Sequence, residues 1–298
     1  MNILVSGSSG LVGSALVVQL SLKGHTVKTL VRREPNHPSE IRWNPPQSGP
    51  TPEQLQGIDA VIHLAGEGIA SGRWTEAKKK AILESRMLGT KILADAISRM
   101  PVPPKVMISA SAIGYYGNRG DEILKEDSLA GRGFLPEVCQ TWETATTPVI
   151  QKGIRVVQLR FGIILSSKGG ALAKMLPPFK MGLGGILGSG KQYMSWIALD
   201  DVLGVINYAL FGDSIFGAIN AVAPQAVTNA DFTRTLGRVL SRPTVFPMPA
   251  FAARLAFGEM ADALLLVSAR VEPAYLIRSK YRFQFPVLED ALRHLLKK

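Results

Sequence analysis

The amino-acid sequence predicts an α/β fold in which helices flank a doubly wound, mostly parallel sheet. Two observations lead to this prediction. Apolar runs of strand length alternate with longer stretches of helical periodicity through the first half of the chain. Glycines at a regular spacing follow the first of these runs. With 298 residues, 46% of them hydrophobic, the chain can bury a substantial core as one large domain or two smaller ones.

The first strand and the turn after it carry the main signal. Ile3 to Val5 form an apolar run, and Gly7, Gly10 and Gly13 accompany the start of a helical stretch from Leu11 to Leu20. Gly7 is expected to make the tight turn, Gly10 to let phosphates approach the backbone, and Gly13 to bring the helix against its strand. A strand, a glycine turn and a helix N-terminus in this order are typical of Rossmann-type dinucleotide-binding folds, with a plain structural turn as the alternative.

The second strand is predicted at Thr26 to Val31, after a helical crossover, and it ends beside Arg32 and Arg33. A carboxylate at this position would bind the ribose 2′-hydroxyl of NAD. The first acidic residue here is Glu34, whereas two guanidinium groups suit a 2′-phosphate. We therefore expect NADP (NADPH) as the cofactor. The alternative is a pair of solvated arginines at a loop entrance.

Three stretches follow in order. Residues 34 to 57 contain six prolines and are predicted to form a loop with at most short helical turns. Asp59 to Gly66 is predicted as a buried strand that ends in small residues, and its His63 is expected to be a satisfied core histidine. Trp74 to Arg99 is predicted as a long helix, because apolar and small residues recur there at helical spacing.

The next strand is predicted at Lys105 to Ala110, and it runs into the segment from Ser109 to Gly117. A hydroxyl at the carboxyl end of a parallel strand, such as that of Ser111, can bind a substrate carbonyl or alcohol. The alternative is a serine-rich strand end that caps nearby backbone groups.

Three later segments are more specific than the glycine turn. They are Phe-Leu-Pro-Glu-Val-Cys-x-x-Trp-Glu at 134–143, Gly-Leu-Gly-Gly at 182–185 and Trp-Ile-x-x-Asp-Asp at 196–201. Together with the Gly-x-x-Gly-x-x-Gly turn, they resemble an atypical branch of the extended short-chain dehydrogenase/reductases, the SDR39U1-like or SulA-like epimerase family. The resemblance covers essentially the whole chain. It implies a generic activity, oxidoreduction or epimerisation, and names no substrate.

The resemblance also implies how the chain is divided. A dinucleotide-binding domain is expected at residues 1–165, with a smaller C-terminal substrate region at 166–298. The two are interleaved, because a late strand near 217–222 is expected to join the sheet. A glycine- and proline-rich segment at 169–190 either lies over a ligand or packs as a rigid loop. The other predicted elements are a strand at Gly153 to Leu165, a helix starting at Asp200 and Asp201, and helices at Asp231 to Leu240, at Ala250 to Ala269 with a break near Gly258, and at Val287 to Leu296.

By the same resemblance, the end of the strand at Gly66 borders the adenosine and ribose, and Ile163 passes near the nicotinamide. Arg86 contacts the cofactor in this reading, with a plain surface charge as the alternative. The cofactor-binding residues that we expect are Gly7, Ser8, Ser9, Gly10, Leu11, Val12, Arg32, Arg33, Leu64, Ala65, Gly66, Arg86, Ser109 and Ile163.

The catalytic residues of the family are only partly matched. Ser111 stands in the place of the catalytic serine. The family's Tyr-x-x-x-Lys pair exchanges a proton as hydride moves, because the lysine lowers the pKa of the tyrosine. Phe134 and Val138 occupy the corresponding positions here. Tyr115 and Tyr116 are the candidate substitutes, since they lie close to Ser111 in sequence.

Two functions are therefore carried forward. The first is an NADP-dependent oxidoreductase or epimerase that acts on an unidentified carbonyl, alcohol or nucleotide-sugar substrate. The alternative is a non-catalytic NADP(H)-binding sensor, which the missing Tyr-x-x-x-Lys pair motivates.

Composition limits the partners and the location. A single cysteine, Cys139, excludes an internal disulfide framework and makes a metal site unexpected. The formal charge is +11, but the basic residues are scattered and the run Lys78 to Lys80 suits a solvated helix face, so no nucleic acid is expected. We expect a cytoplasmic protein with a small-molecule substrate and no membrane partner, and a homodimer as an alternative to a monomer.

Overall fold

The fold is described from a computed structural model, for residues 1–45 and 47–297. Its strands are β1 (Asn2–Ser6), β2 (Thr26–Val31), β3 (Glu40–Arg42), β4 (Ala60–His63), β5 (Val106–Ala112), β6 (Ile123–Leu124), β7 (Arg155–Phe161), β8 (Ile163–Leu165), β9 (Tyr193–Met194), β10 (Trp196–Ala198), β11 (Gly217–Ala221), β12 (Val227–Thr228) and β13 (Arg270–Val271). Its α-helices are α1 (Leu11–Leu22), α2 (Glu76–Ser98), α3 (Phe134–Thr144), α4 (Thr147–Gln151), α5 (Gly170–Lys180), α6 (Leu199–Phe211), α7 (Asn229–Leu240), α8 (Ala250–Phe257), α9 (Ala274–Arg278) and α10 (Leu288–Leu296).

Seven strands form one parallel sheet in the order β11–β7–β5–β4–β1–β2–β3. The chain builds outward from β1 to β3, then returns to the other side of β1 with β4 and continues to β11. Strand order thus reverses between β1 and β4, and in such sheets the crevice at the carboxyl ends of these strands binds ligands. The predicted doubly wound, mostly parallel sheet is confirmed.

Both faces of the sheet are covered by helices. One face packs against α1 and α6, and its core includes Val5, Ile62 and Leu16. The other packs against α2 and α4, and its core includes Val61 and Leu93. Burial on both faces explains why the strands read as continuous apolar runs and not as alternating ones.

The stretch from 34 to 57 contains an element that the sequence did not predict. The strand β3 pairs with β2 at the edge of the sheet, so the prediction of a loop with at most short helical turns was wrong there. An edge strand of 3 residues is too short to show a hydrophobic period. Glu40 at its start accepts hydrogen bonds from Arg33. Pro46, one of the six prolines, lies outside the described residues.

The C-terminal region has its own core, where α5, α7 and α10 surround Trp196 and Phe232. The strand β11 comes from this region and pairs with β7 in the central sheet, as expected for the late strand. The division of the chain into two domains at residue 165 stays a prediction. The expected helix break is present, since α8 ends at Phe257 and Gly258 has a φ of +62°. Within the described residues, no helix combines the length and the apolar content that a bilayer crossing needs.

Asp200 and Asp201 lie in the first turn of α6, as predicted. Asp201 is fully buried, and its two carboxylate oxygens accept hydrogen bonds from the backbone N–H groups of Gln284 and Phe285 at 2.7 and 2.9 Å. Burial raises the pKa of this carboxyl, and the two amides oppose that effect. Asp201 therefore ties the C-terminal segment to the helix that covers the sheet.

Candidate functional site

The glycine turn after β1 is too crowded for side chains at two of its three glycines. Gly7 has a φ of +69°, and a Cβ there would stand 2.8 Å from the backbone nitrogen of Ala65. A Cβ on Gly13 would stand 2.1 Å from the carbonyl oxygen of Gly7. Gly10 is different, because its Cβ would meet only that same oxygen, at 3.3 Å. Gly7 and Gly13 thus allow the close backbone packing of the turn, and Gly10 leaves the exposed side of the turn without a side chain.

The N-terminus of α1 lies at this turn and has no side chain that satisfies it. Gly10 is the N-cap, no side chain caps the helix, and its first turn has no acidic residue. The first backbone N–H groups and the positive end of the helix dipole are therefore available to an anion. Ser8, Ser9, Leu11 and Val12 around it are partly or fully exposed. These residues fit the diphosphate of a dinucleotide.

The end of β4 lies directly against this turn. Ser6 Oγ accepts hydrogen bonds from the amides of Leu64 and Ala65, at 3.1 and 3.3 Å. The same hydroxyl lies 2.7 Å from His63 Nδ1, and His63 Nε2 lies 3.0 Å from Thr90 Oγ1. Burial lowers the pKa of His63 to about 4, so the ring is neutral at pH 7. The expectation of a satisfied core histidine is confirmed.

The two arginines after β2 are in different situations. Arg33 forms a forked ion pair with Glu40, at 2.5 and 2.8 Å. Arg32 is exposed and has no ion-pair partner among the described residues. The pKa of Glu67 is lowered, first by its hydrogen bond to Lys78 and in smaller part by the charge of Arg32. Arg32 is thus the guanidinium that an incoming phosphate would meet without breaking an existing pair.

Arg86 of α2 faces the end of β4. Its guanidinium carbon would lie 3.3 Å from a Cβ on Gly66, and it sits 4.9 Å from the centre of the Trp142 ring. One of its nitrogens donates to the carbonyl of Ile82. Burial lowers the pKa of this guanidinium. The structure therefore brings together two of the expected cofactor residues, Gly66 and Arg86.

Ser109 lies in the middle of β5 in the central sheet, whereas Ile163 begins β8, which pairs with β10 in a separate two-stranded sheet. Ser109 in β5 is 1% exposed, so its hydroxyl is inside the protein in this state. Ile163 is partly exposed at the start of β8, where its amide donates to the carbonyl of Ser195. Of the two, Ile163 is the one whose side chain is partly exposed.

Ser111 is part of a buried charged network that links β5, α3 and β7. Its hydroxyl donates to Glu143 Oε1 at 2.7 Å. Arg160 donates to both oxygens of the same carboxylate, at 2.8 Å each. The side chains of Arg160 and Glu143 are only 5% and 11% exposed. The forked ion pair thus fixes the position of the carboxylate to which Ser111 donates.

The two candidate tyrosines differ in burial and in the hydrogen bonds of their hydroxyl groups. The hydroxyl of Tyr116 is fully buried, donates to Asn220 at 2.7 Å and accepts from Arg160 at 2.9 Å. Burial raises the pKa of Tyr116 to about 12. Tyr115 is partly exposed, and its ring lies 3.5 Å from the guanidinium carbon of Arg160. Of the two tyrosines, Tyr115 is therefore the one that is partly accessible to solvent.

The positions of the family's tyrosine and lysine are apolar in structure as well as in sequence. Val138 is buried in a cluster with Trp74, Ile82 and Met260, and Phe134 packs against that cluster. The rings of Phe134 and Trp74 meet edge to face, with centroids 5.3 Å apart. A charged side chain does reach this cluster from α2: Lys79 Nζ lies 5.7 Å from the centre of the Phe134 ring, and it pairs with Glu76 and Glu259.

Glu143 and Arg160 were not proposed from the sequence as functional residues. Arg160 could have been noticed, because it is a charged residue flanked by Leu159 and Phe161 in a predicted strand. The sheet register places it directly opposite Ser111. Glu143 could not be paired with either from sequence, since it lies on a helix whose rotation is set by packing.

This sequence and this fold are similar to those of known proteins. The NAD dependent epimerase/dehydratase family matches residues 3–214. This chain belongs to that family. A domain of unknown function (DUF1731) matches residues 248–295. An epimerase family protein of Mycobacterium tuberculosis is 44% identical over 288 residues, which cover 97% of this chain and 95% of that protein.

The human epimerase family protein SDR39U1 is 36% identical over 299 residues, covering 99% of this chain and 100% of the human protein. Its crystal structure with NADPH superposes with a TM-score of 0.90 at 33% identity, covering 100% of both chains. A nucleoside-diphosphate sugar epimerase from Corynebacterium glutamicum superposes with a TM-score of 0.81 at 40% identity, over 99% of this chain and 58% of that one. The SDR39U1-like branch predicted from the sequence is confirmed, and with it a nicotinamide-dinucleotide-binding fold.

Proposed function

We propose that this protein binds NADP(H) and acts as an oxidoreductase or epimerase on a carbonyl, alcohol or nucleotide-sugar substrate. The observation that carries the proposal is the uncapped N-terminus of α1 at a turn where Gly7 and Gly13 leave no room for side chains, with Arg32 exposed just after the next strand. The NADPH in the human SDR39U1 structure supports the choice of cofactor.

Cofactor choice is tested by calorimetry with NADP and NAD side by side. Arg32→Ala should weaken NADP binding about tenfold and leave NAD binding unchanged, because only NADP carries the 2′-phosphate with which this guanidinium would pair. Arg33→Ala is the matched control, since Arg33 already pairs with Glu40. Equal affinities for the two dinucleotides in the unaltered protein would reject the preference for NADP.

A bound nicotinamide would give hydride to, or take it from, the substrate carbon. The chain must then supply or accept the proton on the substrate oxygen. We assign that exchange to the phenol of Tyr115, because Tyr116 is engaged by both Asn220 and Arg160. Ser111 acts in this proposal through Glu143 and Arg160, which hold the ring of Tyr115 in place.

Turnover with a panel of carbonyls and alcohols tests this assignment. Tyr115→Phe should reduce turnover at least about hundredfold, the usual contribution of a general acid, while NADPH binding is kept. Tyr208→Phe, on the remote helix α6, is the control for the loss of one phenol hydroxyl. Undiminished turnover in Tyr115→Phe would remove Tyr115 from the mechanism.

A second candidate function is a non-catalytic NADP(H) sensor. The packing of Phe134 and Val138 in an apolar cluster favours it, because that cluster also includes Met260 of the C-terminal region. A sensor should bind NADPH, consume no substrate from the panel, and show slower amide exchange in the segment 250–265 when NADPH is bound. Unchanged exchange in that segment would count against a sensor.

A further inference from the structure

The C-terminal region presents a group of large apolar side chains to solvent. Six of them are between 54% and 76% exposed, and we refer to them as the apolar patch: Met181, Leu183, Val245, Phe246, Phe251 and Leu255. Soluble proteins scatter such side chains singly, so a concentration in two short segments and one helix indicates a contact surface.

Backbone contacts place the two segments of the patch side by side. The amide of Phe246 donates to the carbonyl of Gly184, and the amide of Met248 donates to that of Ile186. A Cβ on Gly185 would stand 1.8 Å from the carbonyl oxygen of Phe246, so the chains pack without side chains between them. The helix α8 follows after Pro249 and exposes Phe251 and Leu255, one turn apart on one face.

Basic side chains predominate around the patch, and the nearest carboxylates in sequence are Glu259 and Asp262, just after α8. Residues 174–187 and 238–258 contain five basic residues and no acidic residue. Arg238 and Arg254 pair with carboxylates from elsewhere. Lys180 and Arg242 are exposed and have no carboxylate partner among the described residues, and Arg242 donates to the backbone carbonyl of Lys180. Apolar side chains thus protrude beside cations that remain free for an external anion.

These charges bear on which partner fits. In a two-fold symmetric dimer through the patch, the two segments would bring Lys180 and Arg242 of both copies to one interface and no carboxylate of their own to pair with them. A protein partner anchors through pockets and buried hot spots, whereas these side chains stand out from the surface. Protruding phenylalanine and leucine side chains beside free cations suit the interface of an anionic bilayer, where the apolar groups enter and the cations meet phosphate.

We propose that the apolar patch docks this protein on the surface of an anionic lipid bilayer. The expectation of no membrane partner rested on the lack of a spanning segment, and a contact at the lipid surface needs none. The formal charge of +11 adds long-range attraction to such a surface. The proposal stands independently of the proposed catalysis.

Vesicle co-sedimentation of the full chain tests the proposal. Vesicles of phosphatidylcholine with about one-third phosphatidylglycerol should bind the protein, and pure phosphatidylcholine should bind it much less. The double variant Phe251→Ser with Leu255→Ser should reduce binding at least about tenfold, through lost apolar insertion. Lys180→Ala and Arg242→Ala should each reduce it about fivefold, and added salt should weaken it further.

A matched control removes two apolar side chains outside the patch. Val102 and Phe216 are 78% and 71% exposed, and changing both to Ser should leave vesicle binding unchanged. Unaltered binding in the Phe251 and Leu255 double variant, equal binding to neutral vesicles, or no binding to anionic ones would each overturn the proposal. A dimer in light scattering that dissociates in the double variant, without vesicle binding, would instead assign the patch to a second copy of the chain.

Discussion

The hydroxyl of Ser111 donates a 2.7 Å hydrogen bond to a carboxylate oxygen of Glu143, which also forms a forked ion pair with Arg160. Three elements that are distant in sequence meet at this carboxylate. Ser111 lies near the end of β5, Glu143 lies near the end of α3, and Arg160 lies in β7. The register of the sheet and the rotation of the helix must both be correct before the contact can form.

Removing Glu143 should be costly, because it would leave the guanidinium of Arg160 buried without its partner. We expect Glu143→Ala to lower the free energy of unfolding by about 3–5 kcal/mol, measured by urea titration. The control is Asp95→Ala, which breaks the exposed pair of Lys91 and Asp95 and should cost less than about 1 kcal/mol. Similar losses for the two variants would show that the buried network does not stabilise the fold.

Substitutions at Gly13 and Gly10 of the turn should affect stability and cofactor binding differently. Gly13→Ala puts a methyl group against the carbonyl of Gly7 and should destabilise the protein by about 1–3 kcal/mol or more. Gly10→Ala meets little and should cost less than about 1 kcal/mol, yet it should weaken dinucleotide binding because the methyl group occupies the approach of the phosphates. Urea titration and calorimetry on both variants check this, and full NADP affinity in Gly10→Ala would contradict it.

His63 should make stability depend on pH. Burial holds its pKa at about 4 in the folded protein, whereas the unfolded chain has the ordinary value of about 6.5. The unfolded chain therefore binds a proton first, and stability should fall as the pH drops below about 6.5. We expect a loss of about 2 kcal/mol between pH 7 and pH 5 from this residue.

The measurement is a pair of urea titrations at those two pH values. His63→Gln should lose this part of the pH dependence, whatever it costs at pH 7. His37→Gln, which changes an exposed histidine, should keep it. The same pH dependence in His63→Gln as in the unaltered protein would assign the effect to other groups.

Arg86 should contribute to dinucleotide binding from the far side of the crevice. Its guanidinium lies against Gly66 at the end of β4, so a bound dinucleotide would meet its charge. Arg86→Ala should weaken NADP binding about tenfold. The control Lys91→Ala removes an exposed cation from the same helix. If both variants bind NADP as the unaltered protein does, Arg86 has no part in the site.

The sequence predicted the elements that local pattern determines. The strand of Thr26 to Val31 was placed at its observed bounds, and the start of α2 was predicted within two residues from the helical spacing of its apolar and small residues. The edge strand β3 was missed because it is short and depends on pairing with β2. The glycine turn was readable because its residue types and order are dictated by backbone crowding.

The charged network of Ser111, Glu143 and Arg160 could not be predicted from the sequence, because its members are distant in sequence and meet only in the folded protein. Sequence reasoning placed Ser111, Tyr115 and Tyr116 in one region and could not rank them. The ion pair of Glu143 with Arg160 distinguishes them, since Arg160 engages the hydroxyl of Tyr116 and stacks on the ring of Tyr115. Only packing decides which of the two adjacent tyrosine hydroxyls has hydrogen-bond partners inside the protein.

The pairing of β11 with β7 has a consequence for work with fragments. A truncated protein that stops at residue 165 would keep the glycine turn but lose β11, so β7 would become a bare edge with its amides and carbonyls unsatisfied. Such an edge recruits other chains into intermolecular sheets. The amino-terminal half expressed alone is therefore expected to precipitate, and a soluble minimal version of this protein has to retain residues 217–221.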